Sequence, residues 1–434
     1  MAIPTVNSGA NAAGAMTSPP PSTNLMAMSL VTTLFFFWGF VTVLNDILVP
    51  HLKSIFDLNY AKVMLIQFAF FSAYFIFSIP SAKIVDAIGY KKTMVTGLMT
   101  MGFGALLFIP AASSASFPLF LGALMILAAG ITALQVAANP YVAVLGPPET
   151  ASSRLNLTQA FNSLGTTIGP YLGGLLILNA SFKSTDETRQ MSPDILQAYR
   201  IHEASSVKLP YLVIGLALIT FGIVIAMFKL PAIPGAVRHD HSGPKTSLWK
   251  YRQLVLGAVG IFVYVGAEVS IGSFLINYFG QHDIGNLPEV VAARYVMYYW
   301  GGAMVGRFIG SAILQRVKTG TVLAVAAIAA CALVCISMLT FGNVAVWSII
   351  LVGLFNSVMF PSIFTLGIAK LGPLTGDGSG FLVMAIVGGA ILPVLQGALA
   401  DRIGIHHAFI LPAICYIYIL YYALRGSRPI EAVA

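Results

Sequence analysis

Two carboxylates, Asp46 and Glu268, stand well inside long apolar blocks of this chain. An ionised side chain at a bilayer centre costs about 2.5–3.5 kcal/mol on insertion scales, so such groups face a bundle interior or water and usually serve function. The competing reading is an interhelical hydrogen bond. Neutral amides surround both acids. Asn45 adjoins Asp46, and Trp38, Thr42, Asn45 and Asp46 fall near one helix face at steps of three and four. Gln135 and Asn139 are one turn apart, and Gln159, Asn162 and Thr166 share a face. In the second half of the chain Tyr264 and Glu268 are one turn apart, Asn277 follows, and Asn356 and Gln396 stand alone in their blocks. Carboxamides both donate and accept hydrogen bonds, as polyol hydroxyls do. The rings of Trp38, Tyr264, Tyr299 and Trp300 offer flat apolar faces. A cavity so lined suits a neutral polyol; an anion would call for Arg or Lys. Arg307, inside an apolar block, is the potential exception and is expected to reach the aqueous interface along its aliphatic stem. Any single amide could be interhelical glue; their number favours a cavity.

The elements that must hold these groups follow from composition. Of 434 residues, 58% are hydrophobic and 9% charged, with mean hydropathy +0.87. A soluble domain carries roughly a quarter charged residues. The apolar blocks are long enough to span a bilayer. We expect an all-α membrane protein of twelve transmembrane helices, near 27–49, 61–84, 93–112, 119–145, 155–178, 209–232, 253–279, 290–313, 319–341, 345–369, 378–400 and 407–425. Residues 1–25 lack Lys, Arg and an apolar core, so they read as a disordered cytoplasmic tail and not as a signal peptide. The expected units are an N-terminal six-helix bundle at 26–232, a cytoplasmic linker at 233–250, a C-terminal bundle at 251–426 and a cytoplasmic tail at 427–434.

Lys and Arg set the orientation. With the N-terminus cytoplasmic, Lys83, Lys91, Lys92, Lys229, Arg238, Lys245, Lys250, Arg252, Arg316, Lys318, Arg425 and Arg428 all fall inside. The net charge of +8 is thus a topogenic signal, and no nucleic-acid partner is expected. Cys331, Cys335 and Cys415 lie in apolar blocks without metal-ligand spacing. Phosphate-binding loops, zinc motifs and nucleophile elbows are absent, so neither an enzyme nor a metal or cofactor is expected.

The halves repeat one another. Gln135 precedes Pro140 by five residues, as Asn356 precedes Pro361. Gly165, Pro170 and Gly174 recur as Gly388, Pro393 and Gly397. Pro80-Ser81-Ala82 precedes one basic loop and Gly310-Ser311-Ala312 the other. Two pseudo-symmetric six-helix bundles follow, a plan that places a substrate at mid-membrane between them.

Longer stretches carry a resemblance. Phe37-Trp38-Gly39 with Leu44-Asn45-Asp46-Ile47-Leu48, Ala137-Ala138-Asn139-Pro140-Tyr141-Val142 with Leu145-Gly146-Pro147, and Arg154-Leu155-Asn156-Leu157 with Gln159-Ala160-Phe161-Asn162-Ser163 resemble the fucose–galactose–glucose proton symporters of the major facilitator superfamily. Tyr264 to Val269 is similar to the glucose/galactose branch. The resemblance implies alternating access and uptake of a hexose, glucose or galactose preferred, with protons, in a bacterial inner membrane with both termini cytoplasmic. It implies a coupling role for Asp46, joined here by Glu268, and a sugar-facing role for Gln159 and Asn162. Gln135 departs from the family, since fucose permease has a glutamate there. A position that cannot ionise leaves sodium coupling, or none, open beside proton coupling. The partners expected are a small sugar, a coupling cation and membrane lipid, with the chain a monomer. A non-transporting sensor would need an output domain, and no such segment is visible.

Overall fold

The computed structural model describes residues 24–56, 60–177, 191–231 and 247–429. Most of the expected N-terminal tail and of the linker, and the last five residues, lie outside these. Every described regular element is helical, as lipid requires: a helix satisfies its backbone polar groups internally, where no water can. The N-terminal half contains α1 (Leu25–Phe56), α2 (Tyr60–Ser113), α3 (Phe117–Val144), α4 (Ala151–Ile177), α5 (Pro193–Ala204) and α6 (Lys208–Met227). The C-terminal half contains α7 (Arg252–Phe279), α8 (Glu289–Ile313), α9 (Thr319–Leu339), α10 (Gly342–Asn356), α11 (Met359–Gly367), α12 (Thr375–Met384), α13 (Gly388–Ile403), α14 (Ile405–Ala408) and α15 (Ile410–Tyr421).

The structure refines three elements of the sequence reading. The spans expected at 61–84 and 93–112 are the two arms of α2, joined by a turn at Gly89 (φ 80°, ψ 167°). Only glycine takes that conformation at little cost. The apolar part of α2 holds 46 residues, far more than one bilayer crossing needs, so the turn at Gly89 makes two crossings of it. The span expected at 345–369 breaks at Ser357 and Val358 into α10 and α11. Finally, the polar stretch 181–208 contains α5, an amphipathic helix outside the apolar blocks.

Nine described stretches are long and apolar enough to cross a membrane. Counting both arms of α2, and adding α4 (27 residues) and α8 (25 residues), is consistent with twelve. Those last two are less apolar than the rest and carry polar residues where they face each other across the two halves: Ser153 and Asn156 on α4, Arg307 and Ser311 on α8.

The repeat is visible in the packing. A Cβ on Gly165 of α4 would fall on the Phe36 carbonyl oxygen of α1, and a Cβ on Gly388 of α13 on the Phe262 carbonyl oxygen of α7. At the same repeat position, glycine lets the fifth span of each half touch the backbone of that half's first span.

Candidate functional site

In the N-terminal half, buried Gln135 on α3 donates from Nε2 to the Tyr74 hydroxyl of α2 at 2.9 Å. One turn further, Asn139 is buried with neither amide atom hydrogen-bonded. Trp38 on α1 is buried against Phe35, ring centroids 5.1 Å apart, and Thr42 Oγ1 donates to the Trp38 carbonyl at 2.9 Å. Gln159 on α4 is buried. Asn162, one turn along, is half-buried and donates from Nδ2 to the Phe35 carbonyl at 3.0 Å, tying α4 to α1. Asn45 and Asp46 lie on α1, but their side chains fall outside the described residues.

The C-terminal half answers with a tyrosine cage. Asn356 is fully buried; its Nδ2 donates to Tyr299 (2.9 Å), its Oδ1 accepts from Tyr416 (2.8 Å), and its carbonyl accepts from Tyr264 (3.0 Å). This amide joins α7, α8, α10 and α15 and has little capacity left for a ligand. Glu268, one turn from Tyr264, is half-buried beside the Tyr264 hydroxyl, and its Oε1 is buried without a hydrogen-bond partner. Gln396 on α13 is fully buried, with both amide atoms unpaired. Asn277 is exposed near the far end of α7, two turns beyond Glu268. Thus Tyr264, Glu268 and Asn356 come together, whereas Asn277 stands apart.

Between the halves, Arg307 does not reach the interface as its long stem suggested. Its guanidinium crosses to α4, where Nη1 meets the Ser163 hydroxyl and the Gln159 carbonyl (3.4 Å), and it lies within electrostatic reach of Glu268. The same seam continues toward the end of the molecule that bears the linker. Asn156 Nδ2 donates to the Arg307 carbonyl (2.7 Å), and Ser153 Oγ to the Ser311 carbonyl (2.7 Å). Ser152 Oγ lies 2.9 Å from Thr319 Oγ1 and 2.6 Å from Thr365 Oγ1, while Ser379 Oγ donates to the Val136 carbonyl at 2.8 Å. Arg154 fixes the start of α4 by capping the α3 carbonyls of Val142 (3.2 Å) and Ala143 (2.6 Å). Among the described residues, hydrogen bonds from α4 to the other half run from Ser152 to Thr167, on the linker side and at mid-helix.

These seam contacts are hydroxyls and amides. Each such bond in a membrane is worth roughly 0.6 kcal/mol on average. A row of them can hold one arrangement and still be broken, whereas buried ion pairs separate only at large cost. Sequence reasoning missed Ser152, Ser153, Ser311, Thr319 and Thr365. The available signal was the run of small hydroxyls opening α4, a helix otherwise destined for lipid.

A family model described as Major Facilitator Superfamily matches residues 28–386. The chain belongs to the major facilitator superfamily. Among its relatives is the glucose/galactose transporter of Brucella abortus, 53% identical over 402 residues, covering 93% of this chain and 94% of that one. The L-fucose-proton symporter of Escherichia coli is 37% identical over 411 residues, covering 93% and 94%. A solved structure of the Escherichia coli fucose:proton symporter superposes with TM-score 0.85 at 35% identity, over 93% of this chain and 98% of that chain. A second, of a major facilitator superfamily transporter in the outward conformation, gives TM-score 0.84 at 37% identity, over 91% and 97%. This major facilitator is a multi-pass membrane transporter, not an enzyme. Gln159 on α4 and Glu268 on α7 lie in opposite halves, and Arg307 bridges between them.

Proposed function

We infer that this chain imports a hexose, glucose or galactose preferred, together with a proton, by alternating access. The observation that carries the reading is the seam. The halves are latched on the linker side by Ser152, Ser153, Asn156 and Ser379, while amides and aromatic rings of both halves stand above that latch. The relatives bear glucose/galactose and fucose-proton names, which supports a neutral sugar and a proton. Gln159, Asn162 and Gln135 would bind hydroxyls and Trp38 would face the apolar side of the ring. Asp46 would carry the proton, with Glu268 as a second acid whose charge Arg307 balances. The lysine and arginine asymmetry supports a cytoplasmic linker end, and in a bacterial inner membrane the latched arrangement is then closed on the cytoplasmic side. An impermeant thiol reagent on intact cells should label a cysteine at position 205 and not one at 242; the reverse would overturn this orientation.

Counterflow in proteoliposomes tests the substrate. Internal glucose or galactose should drive uptake of labelled sugar, with fucose weaker. Counterflow by fucose alone would overturn the preference, and none with any sugar would overturn the function.

A further inference from the structure

On its outer flank, beside the seam, the C-terminal half carries a groove that plays no part in the sugar reading. It has a volume of about 280 Å³ and lies between α8, α9 and the α10–α11 break. Gly306 and Gly310 form its floor on α8, Leu354 and Val358 its far wall, and Ile313 and Val325 its exposed rim. The lining is almost wholly apolar, and the rim side chains face outward from spanning helices, where lipid tails lie. Gly306 and Gly310 let α8 pack directly on the α10–α11 break, and the furrow runs along that contact. A Cβ on Gly310 would meet Val358, and one on Gly306 would meet the Leu354 carbonyl.

The groove is not uniform along the membrane normal. It runs down to Val317 and Thr321, in and just after the short turn that joins α8 to α9 at the linker end. Arg316 and Lys318 flank Val317 there, and both are exposed. The turn itself is held: Arg316 N–H and Val317 N–H donate to the Ile313 carbonyl (3.0 and 2.9 Å), and Thr319 Oγ1 lies against Ser152 Oγ of the other half. An apolar furrow of membrane depth thus ends at two cations at headgroup height. Clusters of this kind on the cytoplasmic side attract anionic lipid headgroups, each basic residue adding to the attraction.

We propose that this groove is a binding site for an anionic phospholipid, one acyl chain lying over Gly306 and Gly310 and the phosphate held by Arg316 and Lys318. The adjoining face of the same stretch of α8 carries Arg307 and Ser311, which latch the halves together. An occupied groove therefore lies beside the seam, on the helix that the seam holds. A zwitterionic lipid offers the same chain with no net negative charge, so the preference must come from the two cations.

The test is native mass spectrometry of the purified full chain, titrated with phosphatidylglycerol or with phosphatidylcholine. The wild type should take up its first phosphatidylglycerol about tenfold more tightly than its first phosphatidylcholine. Arg316→Gln with Lys318→Gln should abolish that preference, while Lys92→Gln, an exposed basic residue on the same end, should keep it. Thr321→Trp, at the groove mouth, should weaken the first binding event for both lipids. A photoreactive acyl chain on phosphatidylglycerol should cross-link to peptides within 306–326 and 354–358. Unchanged melting of the variants separates lost binding from lost fold. An undiminished preference in the well-folded double variant, or cross-links confined to other helices, would overturn the proposal. None of these readouts involves sugar.

Discussion

Gln135 and Asn356 occupy the same place in the two halves, each five residues before a proline, yet they do different work. Gln135 makes one side-chain bond within its half, to Tyr74. Asn356 is clamped by three tyrosines from three helices. Of the two acids, Glu268 sits within reach of a tyrosine and Arg307, while the side chain of Asp46 on α1 lies outside the described residues. A duplicated scaffold therefore need not duplicate its site. The Asn356 amide is fully engaged by its tyrosines, whereas the equivalent Gln135 makes a single bond.

The sharpest way to break this contrast is to neutralise each acid. Asp46→Asn should abolish gradient-driven accumulation while sparing sugar exchange. Glu268→Gln should lower accumulation only in part. Equal, complete losses in both would mean that the halves share the coupling role. Next come the paired amides. Asn356→Ala leaves the hydroxyls of Tyr299 and Tyr416 without their side-chain partner. The Tyr299 hydroxyl keeps the Glu268 carbonyl at 3.3 Å. With about 1–3 kcal/mol for the unpaired Tyr416 hydroxyl and about 1 kcal/mol for the bond lost to Tyr299, the variant should lose roughly 2–4 kcal/mol and melt below the wild type. Gln135→Ala removes a single bond and should lose roughly 1–3 kcal/mol at most. A Gln135 variant that melts lower than the Asn356 variant would reverse the assignment. The smallest effect separates two neighbours on α4. Gln159→Ala should weaken sugar binding by roughly 1–3 kcal/mol with the melting temperature unchanged. Asn162→Ala should show the same loss together with a small drop in melting, because its Nδ2 also ties α4 to Phe35. Binding by calorimetry beside thermal unfolding checks both, and unchanged affinity would move these amides to a purely structural role.

Much of the scaffold could be read from residue order. The apolar blocks located the helices because lipid leaves the backbone few alternatives. The glycine and proline spacings revealed the duplication because close approach of α4 to α1 and of α13 to α7 demands the same small residue. The tightness of the turn at Gly89 was not legible, since a single positive φ within helical sequence leaves no periodic trace. Nor was the direction of Arg307. A long cation can snorkel or cross, and the choice depends on Ser163 and Gln159 of the other half, far away in sequence. Likewise, an amide's residue type says what it can bond, and only the fold shows that Asn356 spends that capacity on tyrosines while Gln135 does not.

The central claim is that sugar moves with protons through a site whose N-terminal acid does the coupling. Its most direct test is sugar uptake into proteoliposomes with proton and sodium gradients imposed separately at clamped voltage. Accumulation on the proton gradient alone, collapsed by a protonophore and lost in Asp46→Asn, is the predicted result. Accumulation driven by sodium alone and untouched by the protonophore would contradict it.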